Sequence, residues 1–94
     1  MSEYVDTLCH QNRIGAAIRL RCSDPWALKT SEFQEFSSDL LNHIVATESD
    51  EELFLQAYYR DSEKTIGSEL LRISKVLGIV VQVVEWRRFQ IAET

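Results

Sequence analysis

The side chains able to do chemistry in this sequence are few and scattered. Cys9, His10 and Cys22 lie on two neighbouring segments and could meet across a hairpin. A zinc site built from them lacks a fourth ligand, and neither cysteine sits in a CxxC spacing. Small buried thiols explain both cysteines more simply. His43 flanks an apolar stripe, and a half-buried or solvent-facing histidine is the plainer account of it than a general base. The acidic run Glu48 to Glu52 reads as a solvated helix start, where the helix dipole favours negative charge. Arg13, Arg19, Arg21, Arg87 and Arg88 make either a basic stripe for RNA or a set of cross-strand partners for carboxylates. With 3 glycines in the chain, a backbone cradle for phosphate has little to be made from. No GxSxG or kinase-like set is present. Nothing in these patterns reads as an enzyme, a metal site or a cofactor site.

The bulk numbers agree with a protein-binding role more than a nucleic-acid one. The chain has 94 residues, a net charge of -5 and an apolar content of 45%. One domain with one modest core is the expectation. An acidic chain is a poor non-specific ligand for nucleic acid or anionic membranes. The N-terminal stretch lacks a basic and an apolar region, and no apolar run nears the ~20 residues of a membrane span. These features, with two unpaired cysteines, predict a cytoplasmic protein with reduced thiols.

Periodicity supplies the elements that would position any site. Residues 3–9 alternate loosely and predict a strand, and "HQN" a turn. In "RIGAAIRLRC", Ile14, Ala16, Ile18, Leu20 and Cys22 share one face, which completes an antiparallel hairpin. Phe33, Phe36, Leu40 and Ile44 then recur at helical spacing, with Ser31 and Gln34 as a capping box. Ser49 and Glu52 offer a second box for a short helical turn that runs into an extended stretch. "SEKTIGSELLRISKVLG" predicts a helix striped by Ile66, Leu70, Ile73 and Leu77, stopped at Gly78. A long strand follows from Ile79 to Glu93, with a slip in its pattern near Glu85 to Arg87 that predicts a bulge.

The fold expected is α+β: a three-stranded antiparallel sheet with helices on one face, in the order β-β-α-α-β. Because the last strand is apolar on both parities, Val80, Val84 and Trp86 are expected on an open sheet face, as a contact for a second copy. The other reading has those residues scattered and covered by the loop at 49–63.

Between the hairpin and the first helix stands Asp24-Pro25-Trp26, a stiff turn carrying a large aromatic. It is either a cover on the core or a contact for a partner.

Several stretches resemble the core, or dimerisation, domain of bacterial elongation factor Ts. "NRIGAAIRLRCSDPWALKTSEFQEFSSDLLNHIVA" is similar to the family's strand "RIGVLVEVNC", its "ETDFVAR" and its "EFxEL…DIAMHIAA". "LFLQAYYRDSEKTIGSELL" resembles "LLEQPFIKDPSKTVGELL", and "RRFQIAE" resembles "VRFELGE". The resemblance runs over residues 3–93 in the family's order. It does not include the small helical domain with which family members begin, nor the helical insertion between the two halves.

The resemblance implies a non-enzymatic module, a homodimer through its sheet, that binds the GTPase elongation factor Tu and influences nucleotide exchange. In the family the Asp-Phe of "TDFVAR" is the wedge that disturbs the GTPase's nucleotide site. Counted from the shared cysteine, here Cys22, the Asp position holds Pro25 and the Phe position Trp26, followed by Ala27, Leu28 and Lys29. The aromatic is kept in a bulkier form, and Asp24 supplies a carboxylate one position early. The implied partner contact is therefore Asp24, Pro25 and Trp26, with exchange weakened by loss of the family's docking domain. The alternative is a repurposed structural or assembly subunit that packs through its open sheet face.

Overall fold

A computed structural model describes residues 2–49 and 51–90. Strands β1 (Ser2–His10) and β2 (Ile14–Cys22) form a hairpin. A 3-10 turn (Pro25–Lys29) leads to helix α1 (Ser31–Ala46). A second 3-10 turn (Leu53–Leu55) precedes a two-stranded ribbon of β3 (Ala57–Tyr58) and β4 (Asp61–Thr65). Helix α2 (Ile66–Leu77) and strand β5 (Val81–Gln90) complete the chain. The main sheet is antiparallel in the order β1-β2-β5, so the α+β architecture expected from the sequence is the one observed.

The core lies between this sheet and the two helices. Ala16, Ile18, Leu20 and Cys22 of β2 face Phe33, Phe36, Leu40 and Ile44 of α1, with Ile66 and Ile73 of α2. The hairpin turn holds Gln11 at φ 54° and Asn12 at φ 56°, closed by the Arg13 N–H on the His10 carbonyl at 3.1 Å. Two left-handed central residues match the twist of the strands, but glutamine carries a steric penalty there. Replacing the pair by Asn-Gly (Gln11→Asn with Asn12→Gly) is expected to stabilise the protein by about 1 kcal/mol, a rise of roughly 4–8 °C in Tm for a domain of this size. A scanning-calorimetry midpoint that stays level or falls would contradict this.

Several details differ from the sequence reading, and the last strand starts at Val81, not Ile79. Thr30, not Ser31, caps α1: its hydroxyl accepts the Phe33 N–H at 3.2 Å. Helix α2 begins at Ile66 rather than at Ser62, because Thr65 and Ser68 cap each other reciprocally and residues 61–65 pair as β4. A serine in place of the usual Glu or Gln makes that capping box easy to overlook. The expected capping box at Ser49 and Glu52 does not form: Glu52 makes no side-chain cap, and the Ser49 hydroxyl accepts from the Glu51 N–H instead. The short helical turn still runs into an extended stretch, as expected. Asp50 and the end of the predicted last strand, at 91–93, lie outside the described residues.

The bulge in β5 governs which side chains face the helices. Leu20 pairs with Val83 but Arg19 pairs with Glu85, so Val84 is the extra residue. If Val84 took a regular place in the ladder, strand alternation would carry Glu85 and Arg87 into the core and Trp86 out of it. Burying two unpaired charges costs several kcal/mol each, whereas a disrupted ladder bond costs about 1 kcal/mol. The strand therefore bulges.

The sheet's edges are also blunted. On β1 the inward-facing Asp6 carboxylate accepts from the Thr7 N–H at 2.8 Å, from the Tyr4 hydroxyl at 3.3 Å and from the Ser37 hydroxyl at 3.2 Å. On β5 the bulge breaks the regular edge.

Candidate functional site

The elbow after β2 is built to be rigid. Asp24 is extended (φ -134°, ψ 130°), as a residue before proline should be, and Pro25 opens the 3-10 turn. The Ala27 N–H bonds the Asp24 carbonyl at 3.3 Å, and the Cys22 thiol donates to the same oxygen at 3.1 Å. At the far end the Thr30 N–H and hydroxyl both donate to the Ala27 carbonyl, at 3.1 Å and 2.7 Å. Ala27 is fully buried and anchors the turn in the core. It is Ala27 that plugs the core; Trp26 is 51% exposed. Asp24 and Pro25 are exposed beside it, and Asp24 makes no side-chain cap.

The second set of predicted contact residues is not brought together. Val80 precedes β5 and is tied to the elbow: the Ser23 N–H bonds the Val80 carbonyl at 3.1 Å and the Val80 N–H bonds the Ser23 hydroxyl at 3.2 Å. Val84 is the half-buried bulge residue. Trp86 stands opposite Ile18 and packs on the core, on the helix side of the sheet. The expectation that these three share the open face is thus corrected, and the parity shift at Val84 is the reason.

The open face is made of other residues. Val5 and Phe89 are its exposed apolar side chains, at 65% and 56%, and Ala17 lies between their strands. Val5, Ala17, Arg19, Glu85 and Arg87 line a concavity of about 330 Å³. Arg19 bridges Glu85 at 3.1 Å and Glu3 at 3.7 Å, Arg21 bridges Glu3 at 3.3 Å, and Arg87 bridges Glu85 at 3.0 Å. Arg19 and Arg21 are cross-strand partners of carboxylates, and Arg87 pairs along its own strand. Arg88 lies on the other side, where its guanidinium donates to the Ile44 carbonyl at 3.0 Å and to the Val45 carbonyl at 3.4 Å. It serves the C-terminal carbonyls of α1.

His43 is the polar residue that sequence reasoning misplaced. It is fully buried. Its Nδ1 accepts the Tyr59 N–H at 3.2 Å, so the ring proton sits on Nε2, which donates to Gln56 Oε1 at 2.9 Å. The Gln56 side-chain amide donates on to the Glu51 carbonyl at 2.9 Å, and its backbone carbonyl accepts the Ile66 N–H at 3.0 Å. Burial, partly offset by the Gln56 bond, holds the His43 pKa below its ordinary value. The spacing Phe36, Leu40, His43 already put this histidine on the buried stripe; its polarity hid that. Nearby, Tyr58 donates to Asp39 at 3.1 Å, and its pKa is pushed up to about 12 by burial first and the Asp39 charge second.

The two cysteines are far apart. Cys22 pairs with Ser2 and Cys9 with Gly15, seven ladder positions along the hairpin, or roughly 23 Å at ~3.3 Å per residue. Cys22 is buried and Cys9 exposed on the opposite side of the sheet. Among the described residues no three His, Cys, Asp or Glu side chains converge as metal ligands, and no helix is long and apolar enough to cross a membrane. A scan of protein-family models finds no match to this chain, and a search of curated proteins finds none either.

Proposed function

We propose that the chain is a non-enzymatic protein-binding module, similar to the core of elongation factor Ts, that binds elongation factor Tu through Trp26 and influences its nucleotide exchange in the cytoplasm. One observation carries this reading: a half-exposed tryptophan on an elbow held by hydrogen bonds at both ends and by the buried Ala27. A solvent-facing aromatic on a fixed backbone binds at low conformational cost, which is the profile of an interface hot spot. Asp24 and Pro25 flank it and join the contact.

The test is release of fluorescent GDP from elongation factor Tu of the same source, with and without this protein. Faster release is expected, falling by at least tenfold in effect with Trp26→Ala, since a hot-spot tryptophan contributes about 2 kcal/mol or more. Unchanged release together with no binding heat by calorimetry sinks this reading. The second reading, an assembly subunit that packs through its open sheet face on a second copy or a larger complex, draws on Val5 and Phe89. A Val5→Asp variant that loses self-association in sedimentation while Trp26→Ala keeps it would favour that one.

A further inference from the structure

The elbow does not stand alone at its end of the sheet. Where β2 finishes and β5 starts, Ser23, Leu71, Ser74, Lys75 and Val80 line a shallow groove of about 440 Å³. Two of these are large and apolar and open to solvent, Leu71 at 66% and Val80 at 52%. Val80 is bonded to Ser23, three residues before Trp26, so groove and elbow are one continuous piece of backbone.

The distribution of cations singles out this end. Lys64 pairs with Asp61 and Glu69, Arg72 with Glu69, Arg60 with Asp39, and Arg19, Arg21 and Arg87 with Glu3 and Glu85. Arg88 binds helix carbonyls, and Arg13 also has a partner. Among the described residues only Lys29 and Lys75 leave their ammonium groups without one. Lys75 lines the groove, and Lys29 ends the turn that carries Trp26. In a chain of net charge -5, one unpaired cation thus lines the groove and the other belongs to the elbow's own turn.

We propose that this groove and the elbow form one docking surface for a segment of a partner protein that presents an apolar side chain flanked by carboxylates. The apolar side chain seats between Leu71 and Val80, and the carboxylates meet Lys75 and Lys29. Apolar contact supplies the affinity, and the charges select orientation and speed the encounter. The proposal rests on Trp26 being a contact residue, and its test separates the two.

A displayed library of random 16-residue peptides is selected on the full chain, and the enriched peptides are measured by fluorescence anisotropy. Peptides with Asp or Glu around a Leu or Phe are expected. Their affinity is expected to fall at least tenfold with Leu71→Asp and with Lys75→Glu, and to stay unchanged with Val5→Asp on the sheet face. All three positions are exposed, and far-UV circular dichroism checks that each variant folds. No enrichment, peptides without acidic bias, or affinity indifferent to the groove variants overturns the proposal. So does a dimer in sedimentation that Leu71→Asp dissolves, because a second copy would then own the groove. If Trp26→Ala spares peptide binding while the groove variants abolish it, the single surface proposed here is overturned and the groove binds without the elbow. If GDP release is unaffected while peptide binding follows the groove variants, only the elongation factor Tu assignment fails.

Discussion

Acidification from pH 7.5 to 5.5 is expected to lower the thermal midpoint of this protein, and replacing His43 by Gln is expected to remove that part of the slope. The sign comes from where the proton goes. In the unfolded chain His43 titrates near ~6.5. In the folded chain its pKa is lower, because the ring is buried and its Nδ1 already accepts the Tyr59 N–H. A proton on Nδ1 would face that N–H donor to donor. The unfolded state therefore binds the proton first, and stability rises with pH wherever it does. The contribution is complete above about pH 6.5 and is lost as pH falls through that value toward the lower folded pKa.

The variant has its own cost at neutral pH. Gln can replace one of the two bonds, not both, and it leaves a smaller group in a sealed site. A loss of about 2–3 kcal/mol is expected, from an unsatisfied buried donor and imperfect packing. The affected bonds clamp the segment from Glu51 to Ile66 onto α1, so amide exchange in that segment should quicken more than in β2. A wild-type midpoint that is level between pH 7.5 and 5.5, or a variant with the same slope as the parent, would show that His43 is not the titrating group.

The fold was legible where the sequence repeats a period long enough to be unambiguous. Ala16, Ile18, Leu20 and Cys22 alternate cleanly, and Phe33, Phe36, Leu40 and Ile44 keep helical spacing, so the hairpin and α1 follow from pattern alone. The elbow was legible for a different reason: proline before an aromatic constrains the backbone whatever surrounds it. What pattern could not show is which way Trp26 points. That depends on Ala27 being small enough to fill the core in its place. His43 was illegible because a polar side chain on an apolar stripe can be buried only if partners distant in sequence, here Gln56 and Tyr59, arrive to satisfy it.

The two tryptophans make the placement of the elbow measurable, because Trp86 packs on the core and Trp26 stands half in solvent. Trp86→Ala is expected to destabilise the protein by about 2–4 kcal/mol, as removal of a large core-packed side chain does. Trp26→Ala is expected to cost less than about 1 kcal/mol, since its side chain is half in solvent and the turn beneath it is held by Ala27 and Thr30. Emission should follow the same division. With Trp86→Phe in place, the remaining Trp26 signal is expected to be red-shifted and open to iodide quenching. With Trp26→Phe, the Trp86 signal is expected to be bluer and better shielded. Deleting Val84 is the sharper probe of cause. It removes the extra residue while leaving Glu85 opposite Arg19 and Trp86 opposite Ile18, so the chain should still fold with a loss of about 1 kcal/mol and an unshifted Trp86 emission. Regular alternation from Val83 would then place Glu85 and Arg87 in solvent and Trp86 on the core with no bulge needed. A red-shifted Trp86 in the deletion variant would instead show that Glu85 does not keep its place opposite Arg19 once Val84 is gone.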